Sequence, residues 1–425
     1  MNGDILLKGG RVALRSGILP RDLLIRDGKI LRIAPDIAAP DGAQVLDVSG
    51  KLVTLAFADI HVHFREPGFT AKETIATGSR AAARGGYTAV CAMPNLDPVP
   101  DSPETLAVEQ AAIDRDAVIG VFPYCSITKG RKGLELVDFH ALKGHCAAFS
   151  DDGSGVQDPA VMRRAMEAAA REGVIIAAHC EDDTLLHGGY IHDGRYAAAH
   201  GHKGICSESE WGQIARDLEL CAETGCHYHV CHISTKESVA LIRAAKARGV
   251  PVTCETAPHY LVLTEDDLRE EGRFKMNPPL RSAGDREALV EGLLDGTIDA
   301  VATDHAPHTA AEKSRGLAGS AMGIVGLETA FPVLYTCLVQ TGRVPLERLL
   351  DAMAWAPRRI FGLPGALEEG APADLAVIGL QTPFTLDSRD FVSMGRATPF
   401  DGWTVRGRVE RTLYRGETVF AMPER

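Results

Sequence analysis

Histidine and aspartate side chains follow apolar segments at several places in this chain, and residues of these types could hold metal ions. His61 and His63 come after one apolar segment at a spacing of two, so both imidazoles lie on the same face of an extended strand. Imidazole nitrogens and carboxylate oxygens are protein ligands of catalytic zinc ions. Because five separate segments end in a histidine or an aspartate, the sequence predicts a metal site. The remaining candidates are Asp151, Asp152, His179, His232 and Asp304.

Eight apolar segments of strand length alternate with helical segments through the middle of the chain, which predicts parallel βαβ units. Eight such units favour an α/β fold of the (β/α)8 TIM barrel type, in which the C-terminal ends of the strands meet at one mouth. The candidate residues would therefore converge although they lie far apart in the sequence. The predicted strands cover residues 56–60, 87–93, 117–124, 146–150, 174–178, 227–231, 252–256 and 299–303, and the clearest helices cover 72–84, 159–172, 208–224 and 236–248.

The two ends of the chain have a different pattern, with short strands and turns in place of helices. This texture fills roughly the first fifty residues and returns near the C-terminus. We therefore expect the two ends to form one small β-sandwich domain together. The predicted domains are residues 1–54 for the N-terminal part of the sandwich, 55–365 for the barrel and 366–425 for the C-terminal part of the sandwich.

The composition restricts the classes of function. The 425 residues carry a formal net charge of −12, which opposes non-specific binding to nucleic acid because no basic stripe offsets it. No apolar run approaches the ~18 to 20 residues that cross a bilayer, and the N-terminus lacks a secretion signal. The 10 cysteines form no CxxC motif, and several lie in apolar segments, which is typical of buried reduced thiols. We therefore expect a cytoplasmic protein that binds neither membranes nor nucleic acid.

Eight short motifs give a more specific indication. HVHFREPGF at 61–69 together with TDHAPH at 303–308 is far more specific than an isolated HxH pair. With these motifs the chain resembles the bacterial dihydroorotases of the amidohydrolase superfamily over its whole length. That resemblance implies reversible hydrolysis of (S)-dihydroorotate to N-carbamoyl-L-aspartate by a zinc-bound hydroxide, in de novo pyrimidine (UMP) biosynthesis. The other motifs are MPN at 93–95, FSDDG at 149–153, CHISTK at 231–236, CETAPHY at 254–260, KMNPP at 275–279 and GIVGLE at 323–328.

The resemblance also implies two zinc ions per subunit, bridged by Asp152 where many relatives use a carboxylated lysine. Asp151 is the competing choice for the bridge, and the nearby Lys143 is expected to be a surface lysine. Asp304 would act as the catalytic residue, because it would take a proton from water and deliver it to the leaving nitrogen. The implied ligands are His61, His63 and Asp304 for one ion, His179 and His232 for the other, and Asp152 for both.

Substrate specificity is expected to depend on a carboxylate-binding group. Arg65 follows the two histidines by two residues, and its planar guanidinium suits a carboxylate. The segment 309–323, after the last predicted strand, could close over the substrate. By resemblance, the substrate-binding residues are His63, Arg65, Asn95, Asn277 and His308, with the backbone of Met322 and Gly323.

Two other functions stay open on the sequence. One is a different cyclic-amide hydrolase, such as dihydropyrimidinase or allantoinase, although Arg65 and Asn95 argue against it because neutral rings need no carboxylate clamp. The other is a non-catalytic, dihydroorotase-like subunit that scaffolds aspartate carbamoyltransferase, which the competent residue at every proposed ligand position argues against. As partners we expect the small-molecule substrate, a second copy of the chain in a homodimer, and a possible complex with aspartate carbamoyltransferase.

Overall fold

In a computed structural model, which describes residues 3–423, the two ends of the chain meet in one mixed sheet of eight strands. The N-terminal strand Leu52–Leu55 pairs antiparallel with the C-terminal strand Leu375–Gly379 and joins the two halves. Both ends therefore contribute to one sheet, as the strand-and-turn pattern indicated. In chain order the strands are β1 (Ile5–Leu14), β2 (Gly17–Arg26), β3 (Lys29–Ala34), β4 (Gln44–Asp47), β5 (Leu52–Leu55), β6 (Phe57–Val62), β7 (Tyr87–Ala92), β8 (Gly120–Pro123), β9 (Ile175–Ala178), β10 (Ile191–His192), β11 (Gly204–Ile205), β12 (His227–Val230), β13 (Val252–Thr256), β14 (Ala300–Val301), β15 (Leu375–Gly379), β16 (Phe384–Thr385), β17 (Thr404–Val405), β18 (Arg408–Tyr414) and β19 (Glu417–Ala421).

The middle of the chain holds parallel strands in two further sheets. β6, β7 and β8 form one of them, and β9, β12, β13 and β14 form the other. Isolated parallel bridges connect the two, because Phe149 pairs with both Cys125 and Ile176, and His305 pairs with Val62. The alternation of parallel strands and helices agrees with the sequence prediction of an α/β fold.

The predicted strand at 146–150 is wrong as a regular strand. On one side of this segment Phe149 N donates to Ile175 O and Phe149 O accepts from Ala177 N, and on the other side Ser150 N donates to Cys125 O. No continuous ladder forms among the described residues of the segment, because the chain turns immediately afterwards, where Ser154 N donates to Asp151 O.

Helices follow most of the parallel strands. α4 shows why they form where they do: Asp158 caps its N-terminus by accepting from Ala160 N, Pro159 occupies its first position, and Gly173 ends it with a φ of +68°. The bounds of α4 and α6 agree with the sequence prediction. The helices are α1 (Ile75–Arg84), α2 (Pro103–Asp116), α3 (Phe139–Leu142), α4 (Pro159–Glu172), α5 (Arg195–His200), α6 (Glu208–Thr224), α7 (Lys236–Ala247), α8 (Pro258–Val262), α9 (Ala283–Asp295), α10 (Ala310–Lys313), α11 (Gly316–Gly319), α12 (Ala330–Leu334), α13 (Leu346–Leu350) and α14 (Ala356–Phe361).

The parallel strands form the core that positions the site. Every residue of β6 and of β7 is buried, as expected for parallel strands that are covered on both faces. Polar side chains in such surroundings must have partners, because an unpaired buried polar group costs free energy. Within residues 3–423, no helix is both long enough and apolar enough to cross a membrane.

Candidate active site

Asp152 lies at the centre of the site, in contact with four histidines. Its Oδ1 is 3.4 Å from His61 Nε2, 3.7 Å from His232 Nε2 and 3.9 Å from His179 Nδ1. Its Oδ2 is 3.6 Å from His63 Nε2. Four different parts of the chain thus place one carboxylate and four imidazoles in direct contact, as the convergence of strand ends predicts.

The donor atoms of this cluster fit a metal ion. Among the described residues, His61 Nε2 and Asp152 Oδ1 are buried and have no hydrogen-bond partner. Such atoms are costly unless a ligand binds them, and imidazole nitrogens with carboxylate oxygens are a set that divalent transition metals accept. In the part of the chain that the structure describes, three groups of three have ligand atoms within 4.8 Å of one another: His61, His63 and Asp304; His61, Asp152 and His232; and His61, Cys231 and Glu255. The first two contain the predicted ligands.

The charges at the cluster favour a cation as well. Burial alone would raise the pKa of Asp152, but His61, His232 and His63 hold it well below its usual range. Asp304 behaves in the same way: burial opposes ionisation, but the hydrogen bond from His63 and the charges of His61, His63 and His232 together outweigh it, so the pKa of Asp304 is low. Both carboxylates are therefore anionic at neutral pH.

Asp151, the competing candidate for the centre of the cluster, faces elsewhere. Its Oδ1 accepts hydrogen bonds from the backbone of Ile127 at 2.8 Å and Thr128 at 3.1 Å, so it anchors the loop after β8. Lys143 forms an ion pair with Glu172, and its side chain is 40% exposed. Of the three residues considered for the bridge, Asp152 alone contacts the histidines.

Three of the seven described non-glycine residues with a positive φ belong to the site. Arg65, His232 and Asp304 have φ angles of 62°, 30° and 48°, in the left-handed region that L-residues other than glycine rarely adopt. Strained backbone of this kind persists where the surroundings over-determine it, and it is common at functional sites. The strain turns these side chains into positions that regular strand geometry would not provide.

Hydrogen bonds behind the histidines fix the orientation of two rings. His61 Nδ1 lies 2.9 Å from Glu255 Oε1, and the other oxygen of Glu255 lies 3.3 Å from His229 Nε2. His63 Nδ1 donates to Asn95 Oδ1 at 2.8 Å. In both histidines Nδ1 is occupied, so Nε2 faces Asp152. Asn95 therefore supports a histidine directly, and its Nδ2 is the end left to donate to another group.

Arg65 supplies a buried cation at the site. Its side chain is anchored through Nε, which donates to Pro307 O at 3.3 Å, and the residue is 9% exposed. Burial lowers the pKa of Arg65 to about 10, with Asp304 and Asp152 opposing the shift. Arg65 therefore stays charged at neutral pH, beside the metal-binding cluster.

His308 lies next to the loop that contains Met322 and Gly323. Its Nε2 donates to Met322 O at 2.7 Å, and its Nδ1 is buried without a hydrogen-bond partner in the described part of the chain. Burial, with help from Arg65, lowers the pKa of His308 to about 4. The ring is neutral at pH 7, with Nδ1 as an acceptor, so Arg65 rather than His308 is the cation for a carboxylate.

Asn277 is held by a carboxylate that the sequence did not single out. Its Nδ2 lies 3.0 Å from both carboxylate oxygens of Glu181. Glu181 Oε2 in turn lies 3.6 Å from His179 Nε2. Glu181 therefore connects the side chain expected to contact a substrate ring with a histidine of the cluster.

Comparison with known proteins decides the family. A dihydroorotase from Geobacillus sp. is 50% identical over 98% of both chains, and one from Listeria innocua is 52% identical over 98% of both. The chain belongs to the dihydroorotase family. A family model described as Dihydro-orotase-like also matches residues 50–238. Membership of the dihydroorotase family makes the chain a hydrolase, and the amidohydrolase resemblance of its motifs is confirmed.

Solved structures with the same fold come from related hydrolases. An L-hydantoinase (dihydropyrimidinase) from Arthrobacter aurescens superimposes with a TM-score of 0.88 at 28% identity, covering 100% of this chain and 97% of that one. A D-hydantoinase (dihydropyrimidinase) from Thermus sp. gives a TM-score of 0.84 at 26% identity, covering 99% and 97%. This member of the dihydroorotase family therefore shares its α/β fold with the hydantoinases.

Three residues that support the site of this dihydroorotase-family chain are marked weakly or not at all by local sequence patterns. Glu255 lies inside the CETAPHY motif, which was recognised only as part of the resemblance, and His229 looks like an ordinary strand residue. Glu181 follows His179 by two residues, and that spacing is the one local hint of its contact. Their roles depend on contacts between segments that are distant in the chain.

We expect Glu255→Gln to weaken metal binding by about 10- to 100-fold, the usual effect of losing a partner behind a ligand histidine. Glutamine can present its N–H₂ group to His61 Nδ1, and the ring would then lose its fixed orientation. The measurement is the zinc retained after dialysis against graded chelator. Glu109→Gln is the matched control, because Glu109 is also a buried carboxylate but contacts none of these histidines. Equal retention in both variants would contradict the role of Glu255.

Proposed function

We propose that this chain is a dihydroorotase, which hydrolyses (S)-dihydroorotate reversibly to N-carbamoyl-L-aspartate in de novo pyrimidine (UMP) biosynthesis. The observation that carries the proposal is the buried Arg65 cation beside the cluster around Asp152. A cyclic amide that bears a carboxylate would neutralise Arg65 and present its ring carbonyl to the cluster. The relatives that are about half identical over nearly the full chain support the same reaction.

We infer that the metal cofactor is zinc, with two ions per subunit. When bound, zinc lowers the pKa of water to about 7 and polarises a carbonyl oxygen, which are the two activations that hydrolysis of a ring amide needs. The orphaned atoms His61 Nε2 and Asp152 Oδ1 support this inference. The proposed ligands are His61, His63 and Asp304 for one ion, His179 and His232 for the second, and Asp152 for both.

Asp304 is the proposed proton carrier. Its Oδ1 lies 3.1 Å from His63 Nε2 and 3.7 Å from His61 Nε2, so Oδ2 is the oxygen available for a proton. In hydrolysis, Oδ2 would take a proton from the attacking water and deliver it to the ring nitrogen as the carbon–nitrogen bond breaks. The reverse sequence at the same atom would cyclise N-carbamoyl-L-aspartate.

Side chains and backbone groups around the cluster would orient the substrate. Arg65 would bind the carboxylate, with Asn95 Nδ2 as a second donor, while His63 Nδ1 keeps Asn95 Oδ1 occupied. Asn277, His308 and the backbone of Met322 and Gly323 would surround the ring. The neutral His308 would shape this pocket through its hydrogen bond to Met322 O. If binding of the substrate carboxylate protonates His308 Nδ1, that N–H would become a further donor to the carboxylate.

A hydantoinase or dihydropyrimidinase function would fit the fold, because the solved structures of that fold carry those names. Arg65 disfavours it, because a neutral ring offers no carboxylate to the planar donors of this buried guanidinium. The non-catalytic scaffold is disfavoured by the intact set of ligand residues around Asp152.

We also propose the finer architecture, with a closed (β/α)8 barrel at 55–365 and a β-sandwich built from 1–54 and 366–425. The bridges at Phe149 and His305, which link the two parallel sheets, support closure. A homodimer, a complex with aspartate carbamoyltransferase and a cytoplasmic location complete the proposal, and the free cysteines fit a reducing compartment.

Metal removal tests the proposed function. We expect chelation to abolish turnover of dihydroorotate, and stoichiometric zinc to restore it, because the activation of water depends on the ions. The measurement is turnover against zinc content during stepwise reloading. Turnover that persists without metal would contradict the proposed chemistry, and no turnover at full zinc occupancy would favour the scaffold.

A further inference from the structure

Lys313, in α10 of the segment after β14, has a buried ammonium that joins two loops of the site. Its Nζ donates to the backbone carbonyls of Gly323 at 2.7 Å, Ala321 at 2.8 Å and Lys275 at 3.0 Å. The residue is 9% exposed, and its three N–H groups match three acceptors. Neither the family resemblance nor the proposed chemistry uses Lys313.

The three carbonyls belong to the two segments expected to contact the substrate ring. Ala321 and Gly323 flank Met322, and Lys275 precedes Asn277 by two residues. A backbone bond from Gly323 N to Lys275 O at 3.1 Å joins the same segments. Lys313 therefore adds three hydrogen bonds to the backbone bond that joins the two loops.

We propose that Lys313 is a positioning residue for substrate binding, whose ammonium holds the 321–323 and 275–277 segments at the spacing that the substrate ring requires. The inference rests on the proposed function for its substrate, although the contacts themselves do not depend on it. The carbonyl of Met322, in the first of these segments, accepts from His308 Nε2 and fixes that ring, so a shift of the segment would also move His308. Loss of the ammonium would disturb both faces of the ring pocket together.

The titration of Lys313 also predicts that its hydrogen bonds to the two loops depend on pH. Burial lowers the pKa of Lys313 to about 7; the ammonium of Lys275 adds to the shift and Glu312 opposes it. Below that pH the three N–H groups of Lys313 donate to three carbonyls, whereas above it the neutral amine has two N–H groups and one of the three hydrogen bonds is lost. Lys313 also lines a pocket, and the other titratable or charged residues that line it are Glu270, Glu271, Arg273, His308 and Arg396.

The test compares Lys313→Met with Lys72→Met. Lys72 pairs with Glu312 at 2.9 Å, so its replacement removes a cation that contacts the residue next to Lys313 and leaves the three carbonyls untouched. We expect Lys313→Met to raise KM for dihydroorotate about tenfold at pH 6, with kcat within about threefold, the loss of ~1.4 kcal/mol of binding. The variant-to-wild-type ratio of KM should shrink between pH 6 and pH 9, because the wild type also loses its third donor. Lys72→Met should keep a ratio near one.

Hydrogen exchange separates this inference from the proposed function. The amide of Gly323 should exchange faster in Lys313→Met than in the wild type, whether or not the protein turns over dihydroorotate. Unchanged exchange and unchanged KM would overturn the inference. A KM ratio that is equal at pH 6 and pH 9 would also overturn it, because lost packing rather than the lost ammonium would then explain the effect.

Discussion

Asp304→Asn is expected to lower kcat for dihydroorotate by roughly 10³-fold, within the range that general acid–base catalysis contributes. The amide keeps an oxygen among the nitrogens of His61 and His63, but it cannot take up a proton at neutral pH. Because protonation of the leaving nitrogen belongs to the chemical step, the loss should appear in kcat rather than in KM. Steady-state kinetics in both directions of the reaction measure it.

The control for Asp304→Asn is the zinc content of the same preparation, together with its thermal unfolding midpoint. If the substitution weakens zinc binding, added zinc should restore the zinc content of the variant but not its kcat. Near-normal turnover would exclude Asp304 as the proton carrier. A defect that added zinc removes would reduce Asp304 to a metal ligand.

Arg65→Met is expected to lower kcat/KM for dihydroorotate by about 10²- to 10⁴-fold, since two hydrogen bonds to a charged group contribute ~1.5–3 kcal/mol each. The carboxylate takes no part in bond breaking, so the loss should fall mainly on KM. Arg65→Lys is the matched variant, because lysine keeps the charge but loses the planar pair of donors. It should recover part of the affinity.

The two Arg65 variants also test the choice of substrate class. A ring without a carboxylate, such as dihydrouracil, should be turned over no worse by Arg65→Met than by the wild type. If both variants bind dihydroorotate with wild-type KM, the carboxylate lies elsewhere and the argument from Arg65 fails.

The strand-end pattern was sufficient to predict which histidines converge. The spacing of His61 and His63 requires only extended backbone, and the parallel order of strands brings His179 and His232 to the same end. Adjacent residues of a regular strand point to opposite faces, so the register of a strand would decide between Asp151 and Asp152. That choice depends on the turn after Phe149, where no regular strand fixes the register.

The residues that the sequence did not reveal act through contacts between distant segments. Glu255 supports His61 across 194 positions of sequence, and Glu181 reaches Asn277 across 96. Lys313 lies in the segment 309–323, which the sequence suggests only as one that could close over the substrate, and its three carbonyl partners become evident only when the fold is known. Local sequence patterns therefore predict candidate metal-ligating residues better than they predict the residues that position them.

The most direct test of the central claim is a side-by-side assay of one preparation of known zinc content with dihydroorotate, dihydrouracil and allantoin. The buried Arg65 and the Asp152-centred cluster predict ring opening of dihydroorotate with a kcat/KM at least about 100-fold above that of either neutral ring. A reversed preference, with dihydrouracil or allantoin opened faster than dihydroorotate, would contradict the proposed function.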